Sequence, residues 1–160
     1  SVNSGTPNGN LIPSSNALLA IFDVTANSAD DVWFANSLGN SVTVNISQSV
    51  NDSDGNSETF VLKSQDGTTL DTVVAPIESA ASVTFDFTNN DFVVPASQSK
   101  QLYIYGDVTE FEDDGDAIQL WLDDDNSGNI CWGIDGSGNN CGADTIFQGD
   151  IFAGVLVNPA

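Results

Sequence analysis

Apolar residues recur at every second position through much of this chain, and that period leaves room for little but strands. Val42, Val44 and Ile46 alternate with Thr43, Asn45 and Ser47. Val83, Phe85 and Phe87 alternate with Thr84, Asp86 and Thr88, and Ile118, Leu120 and Leu122 with Gln119, Trp121 and Asp123. Leu18, Ala20, Phe22, Val24 and Ala26 hold one parity against Asp23 and Thr25. Successive side chains of a strand point to opposite faces, so this pattern buries one face and wets the other. Further strands are expected at Asp31–Ala35, Glu58–Lys63, Thr69–Ala75, Gln101–Asp107, Thr145–Gln148 and Ile151–Val157. Turn signals separate them: Leu38-Gly39-Asn40, Asp54-Gly55-Asn56, Asp66-Gly67, Asn89-Asn90, Asp114-Gly115-Asp116 and Ser127-Gly128-Asn129. No segment sustains helical spacing with caps. The pattern predicts an all-β chain, a single antiparallel β-sandwich of about ten short strands with jelly-roll or immunoglobulin-like connections.

Residues 1–16 break the pattern. They are mostly Gly, Pro, Ser and Asn, with Val2, Leu11 and Ile12 as apolar content. They read as an irregular N-terminal arm on a sandwich domain spanning residues 17–160. Such an arm either folds back on its own domain or docks on a neighbour. A chain of 160 residues that is 40% hydrophobic can bury roughly 70% of its extended surface, enough for a real core. It begins at Ser1 without a basic, apolar leader, which fits a processed mature form or a trimmed one.

Charge then narrows function. Asp and Glu number 23, against Lys63 and Lys100 alone, with no Arg or His, for a net charge of −21. Nucleic acid and anionic lipid both demand clusters of basic residues, so neither is an expected partner. No apolar run approaches the ~18 residues of a membrane helix, so membrane insertion is not expected. A Ser–His–Asp triad, an arginine phosphate clamp and a histidine metal site lack their residue types. Paired carboxylates alone can hydrolyse glycosides, but that needs one acid raised in pKa by apolar burial. These acids crowd into Gly/Asn turns, where solvent keeps them ionised. The expectation is a protein that is not an enzyme.

Cys131 and Cys141 bracket a turn-rich stretch that can bring their Cα atoms within bridging range. A disulfide there implies an oxidising compartment, hence an extracellular or cell-surface protein. Asn45-Ile-Ser47 and Asn51-Asp-Ser53 match the glycosylation triplet, making Asn45 and Asn51 candidate acceptors.

The acidic loops suggest calcium. Asp123, Asp125 and Ser127 stand at alternate positions before Gly128, and the carbonyl of Asn129 can add an oxygen. A hard cation taking six to eight oxygens fits such a loop. The bidentate acid expected at its twelfth position is absent, since that residue is Ile134. Asp107, Glu110, Glu112, Asp113, Asp114 and Asp116 form a second cluster, from which Asp113, Asp114 and Asp116 are candidate ligands. Turn preference alone accounts for the Asp54 and Asp135 loops.

Trp33, Trp121 and Trp132, with Tyr103 and Tyr105 on an outward parity, can offer a platform for carbohydrate, though core packing claims most tryptophans. Ile151-Phe-Ala-Gly-Val-Leu-Val157 is apolar on both parities, the mark of a strand buried on both faces or set at a subunit contact. Ile151, Ala153, Val155 and Val157 are therefore candidate assembly residues beside Val2, Leu11 and Ile12, by strand addition to a second copy.

The stretch Leu19-Ala-Ile-Phe-Asp-Val-Thr-Ala26 followed by Asp31-Val-Trp-Phe34 resembles the opening strands of β-sandwich modules in prokaryotic cell-surface proteins. Leu102-Tyr-Ile-Tyr-Gly-Asp107 and Ile118-Gln-Leu-Trp-Leu-Asp123 are similar to their late strands. The resemblance covers most of residues 17–157 by pattern and carries over no functional residue. It implies a structural role, as in surface layers, stalks and extracellular filaments. The expectation is an extracellular structural subunit forming a homopolymer, with calcium as a stabilising cation. The alternative is a monomeric, calcium-stabilised carbohydrate-binding module. A third reading, a halophile's acidic surface, explains the charge with no cation site at all.

Overall fold

The computed structural model describes residues 1–50, 56–123, 129–141 and 149–159. Within them run fourteen strands. They are β1 (Gly9–Asn10), β2 (Ala17–Thr25), β3 (Val32–Phe34), β4 (Ser41–Ser49), β5 (Glu58–Ser64), β6 (Thr69–Ala75) and β7 (Ser82–Phe85). Then follow β8 (Phe92–Val94), β9 (Ser99–Gly106), β10 (Ala117–Leu122), β11 (Ile130–Ile134), β12 (Ser137–Cys141), β13 (Ile151–Phe152) and β14 (Leu156–Val157). The fold is all-β and sandwich-like: a four-stranded sheet, β2-β9-β5-β6, packs on a ten-stranded one. Every described strand pair is antiparallel except β1 with β14, which is parallel.

The larger sheet has fewer lines than strands. On one edge β4 pairs β7; on the other it pairs β10 from Ser49 to Asn45, then β11 at Val42 and Ser41. β11 continues onto β3, and β3 pairs β8. Thus β3 with β4, β7 with β8, and β10 with β11 each form one interrupted line. β12, β13 and β14 supply a fourth beside β11 and β10. These interruptions explain why fourteen segments stand where alternation predicts about ten.

The inward parity is the predicted one: Val42, Val44, Ile46, Val83, Phe85, Phe87, Ile118, Leu120 and Leu122 are all buried. β2 departs from it. Its register against β9 shifts between Leu18 and Ala20, so Leu19 is buried while Leu18 is only half-buried. Ile21, on the outward side, is buried as well, because the arm lies over it.

On the side of the sandwich away from the arm, buried carboxylates of the smaller sheet hold the segments that flank β7. Buried Asp71 on β6 accepts the Asp86 amide at 2.6 Å, the Thr72 amide at 2.8 Å and the Thr88 hydroxyl. Buried Glu58 on β5 accepts the Ile77 amide at 2.6 Å. Burial, with Glu78 close by, pushes its carboxyl above the usual range, although the Ile77 bond opposes the shift. An inward charge on an outer strand also discourages pairing with another chain, and β6 is such a strand.

Candidate assembly edge

β2 ends one sheet, and β14, capped by β1, ends the other on the same side. A strand edge presents unpaired N–H and C=O groups, which need partners. The arm supplies them for both. Along β2, the Asn3 amide donates to Ile21 O at 2.8 Å, the Asp23 amide donates to Ser1 O at 2.7 Å, and Val2 bridges Phe22. Thr6 doubles the attachment: its hydroxyl donates to Ile21 O at 2.9 Å and accepts the Ile21 amide at 3.0 Å. The arm then crosses to the other sheet. There the Gly9 and Leu11 amides donate to Val155 O and Val157 O, both at 2.8 Å. Leu11 anchors this end in the core at 3% exposure.

One contact fixes the crossing. A Cβ built on Gly154 would stand 2.1 Å from Pro7 O and 2.7 Å from the Asn8 Cβ, so only glycine lets the arm lie this close.

The terminal strand is not buried on both faces within one chain. It divides into β13 and β14, and the parity slips across Ala153–Val155. Ala153 and Leu156 are buried and Ile151 is half-buried, while Phe152, Val155 and Val157 are 49%, 41% and 37% exposed. Val2 (38%) and Ile12 (77%) on the arm are exposed too. These five are most of the exposed large hydrophobic side chains among the described residues; the sixth, Val74, lies on β6. Phe152 was missed by a reading that followed one parity through to Val157. The signal that finds it is the run's lack of any polar outward residue.

Cys131 and Cys141 face each other in the β11–β12 ladder, Cα atoms 4.2 Å apart, and form a disulfide. Asp135 and Gly136 make the hairpin turn, both at positive φ (48° and 73°), as a two-residue turn matched to strand twist requires.

Asp125 and Ser127 lie outside the described residues, as do Asn51 and the strand expected at Thr145–Gln148. Of the first calcium loop, Asp123 and Asn129 are described; the Asn129 carbonyl accepts the Thr43 amide at 2.6 Å. In the second cluster Asp113 and Asp114 are exposed, whereas Asp116 is buried and its carboxylate accepts the Asp113 amide at 3.0 Å. Asn158 staples this loop to the chain end, donating to Asp116 O and Phe111 O. Among the described residues no three carboxylates or thiols gather as a metal site would need.

The tryptophans do not share one platform. Trp132 lines a cavity of about 330 Å3 between the sheets, among Phe22, Val32, Phe34, Leu102 and Ile130, and its buried indole N–H has no partner among the described residues. Trp33 packs across Gly133 and over Gly136. Trp121 lies outward and stacks on Phe152, centroids 5.8 Å apart at 24°. Tyr103 and Tyr105 point outward from the other sheet, with the Lys63 ammonium 5.0 Å from the Tyr105 ring centre. Asn45 faces Trp121 across the β4–β10 ladder, its Nδ2 buried without a partner among the described residues.

Known protein families, curated proteins and solved structures yield no match to this chain.

Proposed function

We propose that this chain is an extracellular structural subunit that self-assembles into a filament or surface array along the edge made by its arm and terminal strand. The observation that carries this reading is the gathering of Val2, Ile12, Phe152, Val155 and Val157 on those two segments. Single exposed apolar residues are ordinary, but five of them on two segments hydrogen-bonded to each other offer a contact surface. The disulfide agrees with an oxidising environment. A −21 chain has no basic patch for nucleic acid or lipid, and strand edges pair with copies of themselves, so the partner proposed is a second copy whose repulsion salt or cations screen. Calcium enters as the cation that joins acidic protomers. The test is sedimentation velocity on wild type against Phe152→Ser/Val155→Ser. Concentration-dependent assembly lost in the double variant, with the monomer still folded, supports the reading; equal behaviour removes this edge from it.

A second reading, a carbohydrate-binding module, is favoured by the stacked Trp121–Phe152 pair with the Asn45 amide beside it. A sugar-dependent shift in tryptophan fluorescence that Trp121→Ala abolishes supports it; a flat response across a glycan panel opposes it.

A further inference from the structure

Resting on that reading of the arm edge as the assembly surface, we propose that the arm is exchanged between copies: residues 1–11 of one chain strap the β2 and β14 edges of another. The arm is separable from the sandwich it straps. It attaches at two places, through residues 1–6 on β2 and residues 9–11 on β14. Only Leu11 among its side chains enters the core. Every contact it makes with its own body is available on the identical body of a neighbour, so exchange changes the owner of the strap and not its bonds.

The connection permits it. Between Leu11 and Ala17 run Ile12-Pro-Ser-Ser-Asn16, a polar tether held by Ser14, whose carbonyl accepts the Val108 amide at 2.8 Å. With Ser14 held, Ile12 and Pro13 alone turn the strap toward an adjoining edge; with that one bond released, five extended residues span roughly 17 Å.

The exposed apolar residues give the exchange a direction. With the arm on its own body, Ile12, Phe152, Val155 and Val157 keep 37–77% of their surface exposed. Handing the arm over brings a second body against this edge, and those side chains gain cover that the closed arrangement denies them. Gly154 keeps the seat open for either arm, since a side chain there would collide with Pro7 O from any copy.

Cross-linking distinguishes the two owners. Asn10 and Val157 are register partners in the parallel β1–β14 pair, and both are exposed. The double variant Asn10→Cys/Val157→Cys is oxidised under assembly conditions and run on a non-reducing denaturing gel. Single variants, one carrying a mass tag, are mixed in parallel. Exchange predicts interchain bonds, as dimers or a ladder, and disulfides between the tagged Asn10→Cys chain and the Val157→Cys chain at least ten-fold over bonds between like chains. Assemblies seen by electron microscopy with only intrachain bonds overturn the exchange and leave the assembly edge standing. Absence of both assemblies and interchain bonds overturns the two together.

Discussion

Gly154 sits beneath the carbonyl of Pro7 so closely that a methyl group there would stand 2.1 Å from the oxygen. This close approach ties the arm to the terminal strand, and through it one sheet edge to the other. Gly154→Val should therefore lift the arm from β14 while leaving the sandwich folded. Losing the burial of Leu11 and two backbone bonds costs about 2–4 kcal/mol. Hydrogen exchange is the check: the Gly9 and Leu11 amides should lose protection while those of β4 and β9 keep theirs. Unchanged protection at Leu11 would show that the contact yields without moving the arm.

The Cys131–Cys141 bridge closes a hairpin of ten-residue separation whose β12 strand is exposed throughout. Beside the bridge, that strand is held by its ladder with β11 and by the Asn40 amide, which donates to Gly138 O and Asn139 Oδ1. Replacing both cysteines by alanine should lower stability by about 2–3 kcal/mol through the freed loop, read as a drop in Tm. A change under half a kilocalorie would mean that the β11–β12 ladder holds the hairpin unaided.

Glu58 gives a pH dependence with a definite sign. Its carboxyl is raised in the folded state, chiefly by burial, so the folded chain holds that proton more tightly than the unfolded one. The stability it contributes is complete below the unfolded carboxylate pKa and is lost as pH rises through the folded value. Glu58→Gln keeps an acceptor for the Ile77 amide and removes the buried charge. Denaturation midpoints at pH 7 should be equal to or above wild type for the variant, with its advantage vanishing near pH 4. A variant less stable at pH 7 than at pH 4, relative to wild type, would contradict this.

Protomers each carrying −21 repel, and screening at about 0.15 M salt acts over roughly 8 Å. Assembly should therefore strengthen from low to moderate NaCl by light scattering. If calcium bridges acidic loops, millimolar CaCl2 should exceed NaCl of matched ionic strength, and chelation should reverse the difference. Equal action of the two salts would leave screening alone and remove calcium.

How far the sequence reached depends on whether a feature is local. Inward residues such as Val44, Phe85 and Leu120 were legible because alternation is written into each strand. The Cys131–Cys141 pair was legible too, since its spacing allows a bridge. The breaks between β3 and β4 or β10 and β11 were not, because each line resumes only through the register of a neighbour. β12, Ser-Gly-Asn-Asn-Cys, has no apolar pattern to read. Ile21 needed the arm to bury it, and the slip that turns Val155 and Val157 to the side of Phe152 falls at Gly154, where Pro7, far away in the chain, lies against it. The burial of Asp71 and Glu58 was not legible either, because the amides of Asp86 and Ile77 that they accept come from segments 15 and 19 residues away.

Electron microscopy of the purified chain at moderate salt with millimolar calcium asks most plainly whether the apolar edge exists to be covered. Regular filaments or sheets that dissolve with Phe152→Ser/Val155→Ser are the predicted result. Single particles that stay dispersed at high protein concentration would contradict it.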